Sequence, residues 1–221
     1  MIQKSCIVIA VIVLCAGSIF CQDFERSITG KGLKIGPGYN MLSTTYDELE
    51  PYFDTKIGSH GGAFLTYQMS PTFSIQPEFM FSVKGASTGG LFTVFNWSLN
   101  YIEIPVLFKY HLSDKKAVKP AIYAGPSWSY LTSSELKVIF VDPIDVTEGM
   151  KRTDIGFIFG GGFDYKHFVF DIRYTIGVTN IIDGDAINVI TDADVNDFYY
   201  FTNDQEVKNS FLSIMLGIKF Y

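Results

Sequence analysis

The chain has 221 residues, a length that fits one domain, and a formal net charge of −6, which argues against nucleic acid as a partner. Aromatic content is 16%, with 20 Phe and 13 Tyr, while charged residues reach only 18% against a usual ~25%. With 20 Gly as well, and no helical spacing of apolar residues beyond the first twenty positions, the composition is that of an all-β protein and excludes a helical bundle.

Residues 1–21 read as a secretory signal peptide, with a basic start at Lys4, an apolar run over 6–20 and the small Cys21 before Gln22. The apolar run is shorter than the ~20 residues of a spanning helix. Ser18-Ile19-Phe20 lacks the Leu and small residues of a lipobox ahead of Cys21. All three cysteines lie in this segment, so a mature domain over 22–221 has no disulfide framework. Loss of Lys4 leaves 16 basic against 23 acidic residues, a net of −7.

Alternation with a period of two predicts eight strands. The first covers 32–42 (Leu33, Ile35, Tyr39 and Met41 on one face) and precedes a polar connection over 43–56. The second covers 57–69, where the adjacent Phe64 and Leu65 leave its outward face open. Ser70-Pro71-Thr72 is a tight turn. The third, 72–84, sets Phe73, Ile75, Phe79 and Phe81 against Ser74, Gln76, Glu78 and Lys84. An uncharged loop over 85–96 leads to the fourth, 97–111, in which Ile102, Ile104, Val106, Phe108 and Tyr110 face away from Glu103 and Lys109. A short basic turn over 112–119 gives the fifth, 119–132, with Ile122, Trp128 and Tyr130 against Ala121, Gly125, Ser127 and Ser129. A longer connection over 133–152 follows. The sixth and seventh strands, 153–165 and 168–180, meet at Lys166-His167. The longest connection, 181–208, precedes the eighth strand, 209–221, with Leu212, Ile214, Leu216, Ile218 and Phe220 on one face.

The connections alternate long and short without exception, and the strand count is even. That is the plan of an eight-stranded antiparallel up-and-down transmembrane β-barrel. A soluble barrel would turn its apolar face inward and its polar face to water. Here the polar face is too rich in Gly, Ser and Ala to make a good solvated surface, whereas the Phe, Trp and Tyr of the other face suit lipid and its aromatic girdles. The expected location is the outer membrane of a Gram-negative bacterium, with outer-membrane lipid as the solvent and the long connections outside. The terminal Phe220-Tyr221 resembles the signal read by the outer-membrane assembly machinery, an expected partner.

By the same alternation Lys34, Glu78, Lys84, Glu103, Lys109, Asp171, Arg173 and Lys219 point into the lumen, since each would cost ~2–4 kcal/mol facing mid-membrane lipid. A register joining the third and fourth strands can bring Glu78 and Glu103 together, which demands a cation between them. Arg173 is the first choice because its planar fork serves two carboxylates, and Lys109 the second. The expected luminal ion network is therefore Glu78, Glu103, Lys109, Asp171 and Arg173.

Chemistry beyond this is thin. Barrel enzymes that modify lipid need His with Ser and an acid. His111 and His167 fall at short-turn ends, and His60 near the opposite end has no evident Ser-acid partner in sequence, so a non-enzymatic barrel is expected. No His or Cys cluster suggests a transition metal, and no cofactor is expected. The last long connection carries seven acids (Asp183, Asp185, Asp192, Asp194, Asp197, Asp204, Glu206) with Lys208 as its one base. Asp192, Asp194 and Asn196 have calcium-loop spacing, which makes Asp192, Asp194 and Asp197 a weak metal candidate. Asp197 and Asn203 stand where such a loop needs Gly and Glu.

An ordered set of fragments carries a family resemblance. They are Gln76-Pro77-Glu78 with Lys84-Gly85, Tyr101-Ile102-Glu103-Ile104-Pro105 with Lys109-Tyr110, Ala124-Gly125-Pro126, Gly160-Gly161-Gly162-Phe163-Asp164, and Arg173-Tyr174 with Gly177. In this order they resemble the PorT-like outer-membrane β-barrel family of Bacteroidetes. The resemblance implies the barrel fold and leaves activity open. It adds, as an alternative, an accessory role in type IX protein secretion. The leading expectation is a small barrel with a plugged lumen that has a structural or partner-binding role through its external loops. A lipid-modifying enzyme is the remaining alternative.

Overall fold

The computed structural model describes residues 27–44, 54–88, 95–113, 117–138, 142–183 and 206–220. Within them the strands are β1 (Ser27–Thr44), β2 (Asp54–Ser70), β3 (Phe73–Thr88), β4 (Phe95–His111), β5 (Val118–Val138), the two-residue β6 (Ile144–Asp145), β7 (Thr153–Tyr165), β8 (Phe168–Gly177) and β9 (Val207–Phe220). Each barrel strand pairs antiparallel with its sequence neighbour, β1 pairs with β9, and the β4–β5 and β5–β7 ladders complete the ring. The result is a closed eight-stranded antiparallel barrel. β6 lies outside the ring and pairs only with the far end of β5, through Glu135↔Asp145 and Leu136↔Ile144.

The alternation that predicts the strands also sorts their side chains. Ile35, Phe81, Ile122, Phe157, Phe168 and Leu216 stand on the outer surface with 48–69% of their area exposed. An apolar, aromatic exterior of this extent is a lipid-facing surface. The inner face is polar and close-packed, and its glycines explain how eight strands hold large luminal side chains. A Cβ on Gly38 would fall 1.9 Å from the Phe211 ring, and one on Gly160 would fall 2.9 Å from the Tyr123 ring. These positions are bare backbone because aromatic rings lie across them. On β2 the ambiguity at Phe64 and Leu65 resolves with Phe64 inward, its ring 5.4 Å from the Lys34 ammonium.

Several strands run further than their apolar alternation predicts. β5 continues through Val138, so residues 133–138 are strand and not connection, and β3 and β4 take up 85–88 and 95–96 of the expected loop. β8 stops earlier, at Gly177. A strand needs ~9–11 residues to cross the hydrocarbon, whereas β4 has 17 and β5 has 21. Beyond Tyr130 the outward residues of β5 become Thr132, Glu135 and Lys137, and those of β4 beyond Ile102 become Asn100, Ser98 and Asn96. The far ends therefore rise out of the apolar belt as a polar sheet.

Inside that raised sheet lies a separate apolar core. Trp97, Leu99, Leu131 and Leu136 of β4 and β5 meet Met150, Ile181, Ile182 and Val207. Backbone bonds stitch it together: Lys151 N–H to Ile181 O (2.9 Å), Ile181 N–H to Val207 O (2.9 Å), and the Met150↔Ile182 bridge. The end of the barrel that carries the long connections is capped by packed side chains.

Candidate functional site

The lumen is layered. In the middle, Lys34 of β1, Glu78 of β3 and Asp171 and Arg173 of β8 form a fully buried tetrad. Lys34 Nζ donates to Glu78 Oε1 (2.6 Å) and Asp171 Oδ2 (2.7 Å). Arg173 donates from Nη1 to Glu78 Oε2 (2.8 Å) and from Nη2 to Glu78 Oε1 (3.3 Å) and Asp171 Oδ2 (3.2 Å). Two cations meet two carboxylates, so the layer is neutral as a unit. The fork of Arg173 serves two carboxylates, and they are Glu78 and Asp171.

The expected pairing of Glu78 with Glu103 through Arg173 is corrected. The β3–β4 ladder sets Met80 opposite Glu103 and Pro77 opposite Val106, so the two glutamates are out of step. Glu103 belongs to a second layer nearer the long-connection end, where it pairs with Lys84 Nζ and lies 3.4 Å from His60 Nε2. Lys109 reaches neither glutamate. It donates instead to Gln76 Oε1 (3.1 Å), while Gln76 Nε2 donates to Glu78 Oε1 (2.7 Å). The physical reason is stagger: strand tilt in a closed barrel brings β1 and β8 across the lumen to Glu78, and alternation along one strand carries no information about that offset.

His60, set aside in the sequence for want of a partner, lies 1% exposed against Glu103, pairs in register with Ser82 and packs on the Phe211 ring (centroids 5.2 Å apart). Its inward position follows from the parity of β2, which the Phe64-Leu65 pair obscures. Towards the long connections, Asn209 Nδ2 donates to Asp154 Oδ2 (3.0 Å) and Thr179 Oγ1 to Asp154 Oδ1 (2.6 Å). At the short-turn end, Ser74 Oγ and His111 Nε2 are 2.8 Å apart and Lys219 pairs with Asp164 (3.0 Å).

Outside the membrane belt, the Thr147 hydroxyl and its N–H (2.8 Å) donate to Asp145 Oδ1, holding that carboxyl below its usual range. Thr147 Oγ1 accepts from Ser134 N–H (2.8 Å) and so ties the β6 segment to β5. In the last long connection the Glu206 carboxyl is likewise lowered by Lys208, 2.5 Å away. The weak metal candidate at Asp192, Asp194 and Asp197 lies outside the described residues.

No curated protein matches this chain in sequence. Among solved structures it is similar to the attachment invasion locus protein Ail of Yersinia pestis (TM-score 0.45, 11% identity, covering 88% of this chain and 100% of that one). It is also similar to Neisserial surface protein A (TM-score 0.48, 12% identity, 89% and 100%) and to OprG of Pseudomonas aeruginosa (TM-score 0.43, 14% identity, 90% and 100%). Residues 22–183 match the outer membrane protein beta-barrel domain family, and the chain belongs to that family.

Proposed function

We propose that the protein is a non-conducting outer-membrane anchor that presents its raised polar sheet to a protein partner outside the cell. One observation carries this reading: β4 and β5 extend well past the lipid-facing belt and are held rigid there by their own apolar core of Trp97, Leu99, Leu131, Leu136 and neighbours. A barrel that only had to cross the membrane would not need strands of 17 and 21 residues. The luminal ion layers act as a plug that fixes the packing of the staves.

The reading is non-catalytic. Among the described residues, His60 with Glu103 and Ser74 with His111 are the nearest approaches to catalytic pairs, and Ser74, His60 and Glu103 are all buried. Photo-crosslinkers placed at Thr132 and Lys137 in intact cells should give a discrete protein adduct. Absence of any adduct would leave a stand-alone barrel. The ordered PorT-like fragments favour a second reading, an accessory of type IX secretion. Genes for that system beside this one, and adducts with its components, would select it.

A further inference from the structure

Among the described residues the luminal charges do not balance locally, and the imbalance falls at the short-turn mouth. The tetrad above it is neutral, and both its carboxylates are already taken by Lys34 and Arg173. Lys109, 4% exposed, makes one hydrogen bond, to the neutral Gln76 amide. Its ammonium also stands 5.7 Å over the Tyr123 ring and within electrostatic reach of Asp171, a carboxylate already bonded to Lys34 and Arg173, so this buried cation has no carboxylate of its own in direct contact among the described residues. Two further lysines stand at the same mouth: Lys119, on β5 opposite Asp164 in register, and Lys219, on β9. At the rim, Asp164, paired with Lys219, is the one carboxylate among the described residues, and the deeper Asp171 lies over Gly162 and is taken by the tetrad. His111, bonded to Ser74, and Ala121, its partner in register, complete the wall, and Ala121 is opposite Gly162 on β7.

We propose that this mouth is an anion-binding site that takes a phosphate group, with Lys109 at its floor and Lys119 and Lys219 at its rim. A phosphate offers several oxygens to donors arriving from β4, β5 and β9 at once, and charge-assisted bonds to it are stronger than those to a neutral amide. The group can be the headgroup of an inner-leaflet phospholipid or a free phosphate in the periplasm.

The test follows the full barrel by NMR in two arms, one adding inorganic phosphate in maltoside micelles against chloride at matched ionic strength, the other comparing nanodiscs of phosphatidylcholine with and without phosphatidylglycerol. Saturable shifts at Ser74, Lys109 and Ala121 are expected in at least one arm, and the arm that responds names the source. K109Q should weaken the response about tenfold. If K109Q does not fold, K119Q, altered at the exposed rim, should weaken it while leaving the remaining spectrum in place. Silence in both arms overturns the site, as does a response that K109Q or a folded K119Q leaves unchanged.

Discussion

Among the described residues Arg173 is the largest side chain with no exposed surface, and its surroundings define what a luminal residue contributes. Its removal would leave Lys34 alone against Glu78 and Asp171, one buried negative charge in excess. Breaking a buried pair in this way costs ~3–5 kcal/mol, so Arg173→Met should lower the barrel's unfolding free energy by about that much in urea titration. Adding Asp171→Asn removes the surplus charge and should recover part of the loss. If the double variant is no more stable than the single one, the four groups do not act as a unit. The eight inward charges were legible from alternation, because the cost of the opposite face is several times thermal energy. Their partners were not. Which carboxylate meets Arg173 depends on the offset between β3 and β8, and these strands are not neighbours in the ring.

Elements were legible where lipid dictates the pattern and obscure where water does. Along β5, Ile122, Trp128 and Tyr130 announce a strand, but Thr132, Glu135 and Lys137 resemble a loop, because a strand in water need not be apolar on its outer face. The same holds for the ends of β3 and β4. What marks the extension is the inward set Trp97, Leu99, Leu131 and Leu136, whose spacing along β5 is interrupted at Thr132, where the register passes from Tyr101↔Leu131 to Asn100↔Ser133. The β6 segment hangs on this sheet through Asp145 and Thr147. A carboxyl whose pKa is lowered in the folded state contributes while it is ionised and loses that contribution as pH falls through its folded value. The β6 segment should therefore hold at neutral pH and loosen only below the usual aspartate value of ~3.9. Hydrogen-exchange protection at Thr147 and Ser134 is the measurement. Asp145→Ala should remove the pH dependence and lower protection already at neutral pH, with little effect on the barrel midpoint because Asp145 is exposed.

At the scale of the whole molecule the question is whether anything passes through. Eight strands enclose only enough space for side chains, and here three kinds of packing fill it in series. The short-turn end holds Lys109, Gln76 and the Lys219–Asp164 pair, the middle holds the neutral tetrad and then the Glu103–Lys84–His60 layer, and the far end holds the Asp154 layer beneath the apolar cap. An ion crossing this path would have to part charges that neutralise one another and then enter an apolar cluster, and each step is opposed by desolvation. The barrel reconstituted in planar bilayers should therefore be electrically silent at physiological salt. Truncating only the cap, for example Trp97→Ala with Leu131→Ala, should leave it silent, because the tetrad beneath still closes the lumen. Joining that change to Arg173→Ala should raise the frequency of transient openings, provided the variant still refolds. Steady single-channel steps from the unaltered protein would show that the ion layers line a path and do not block one.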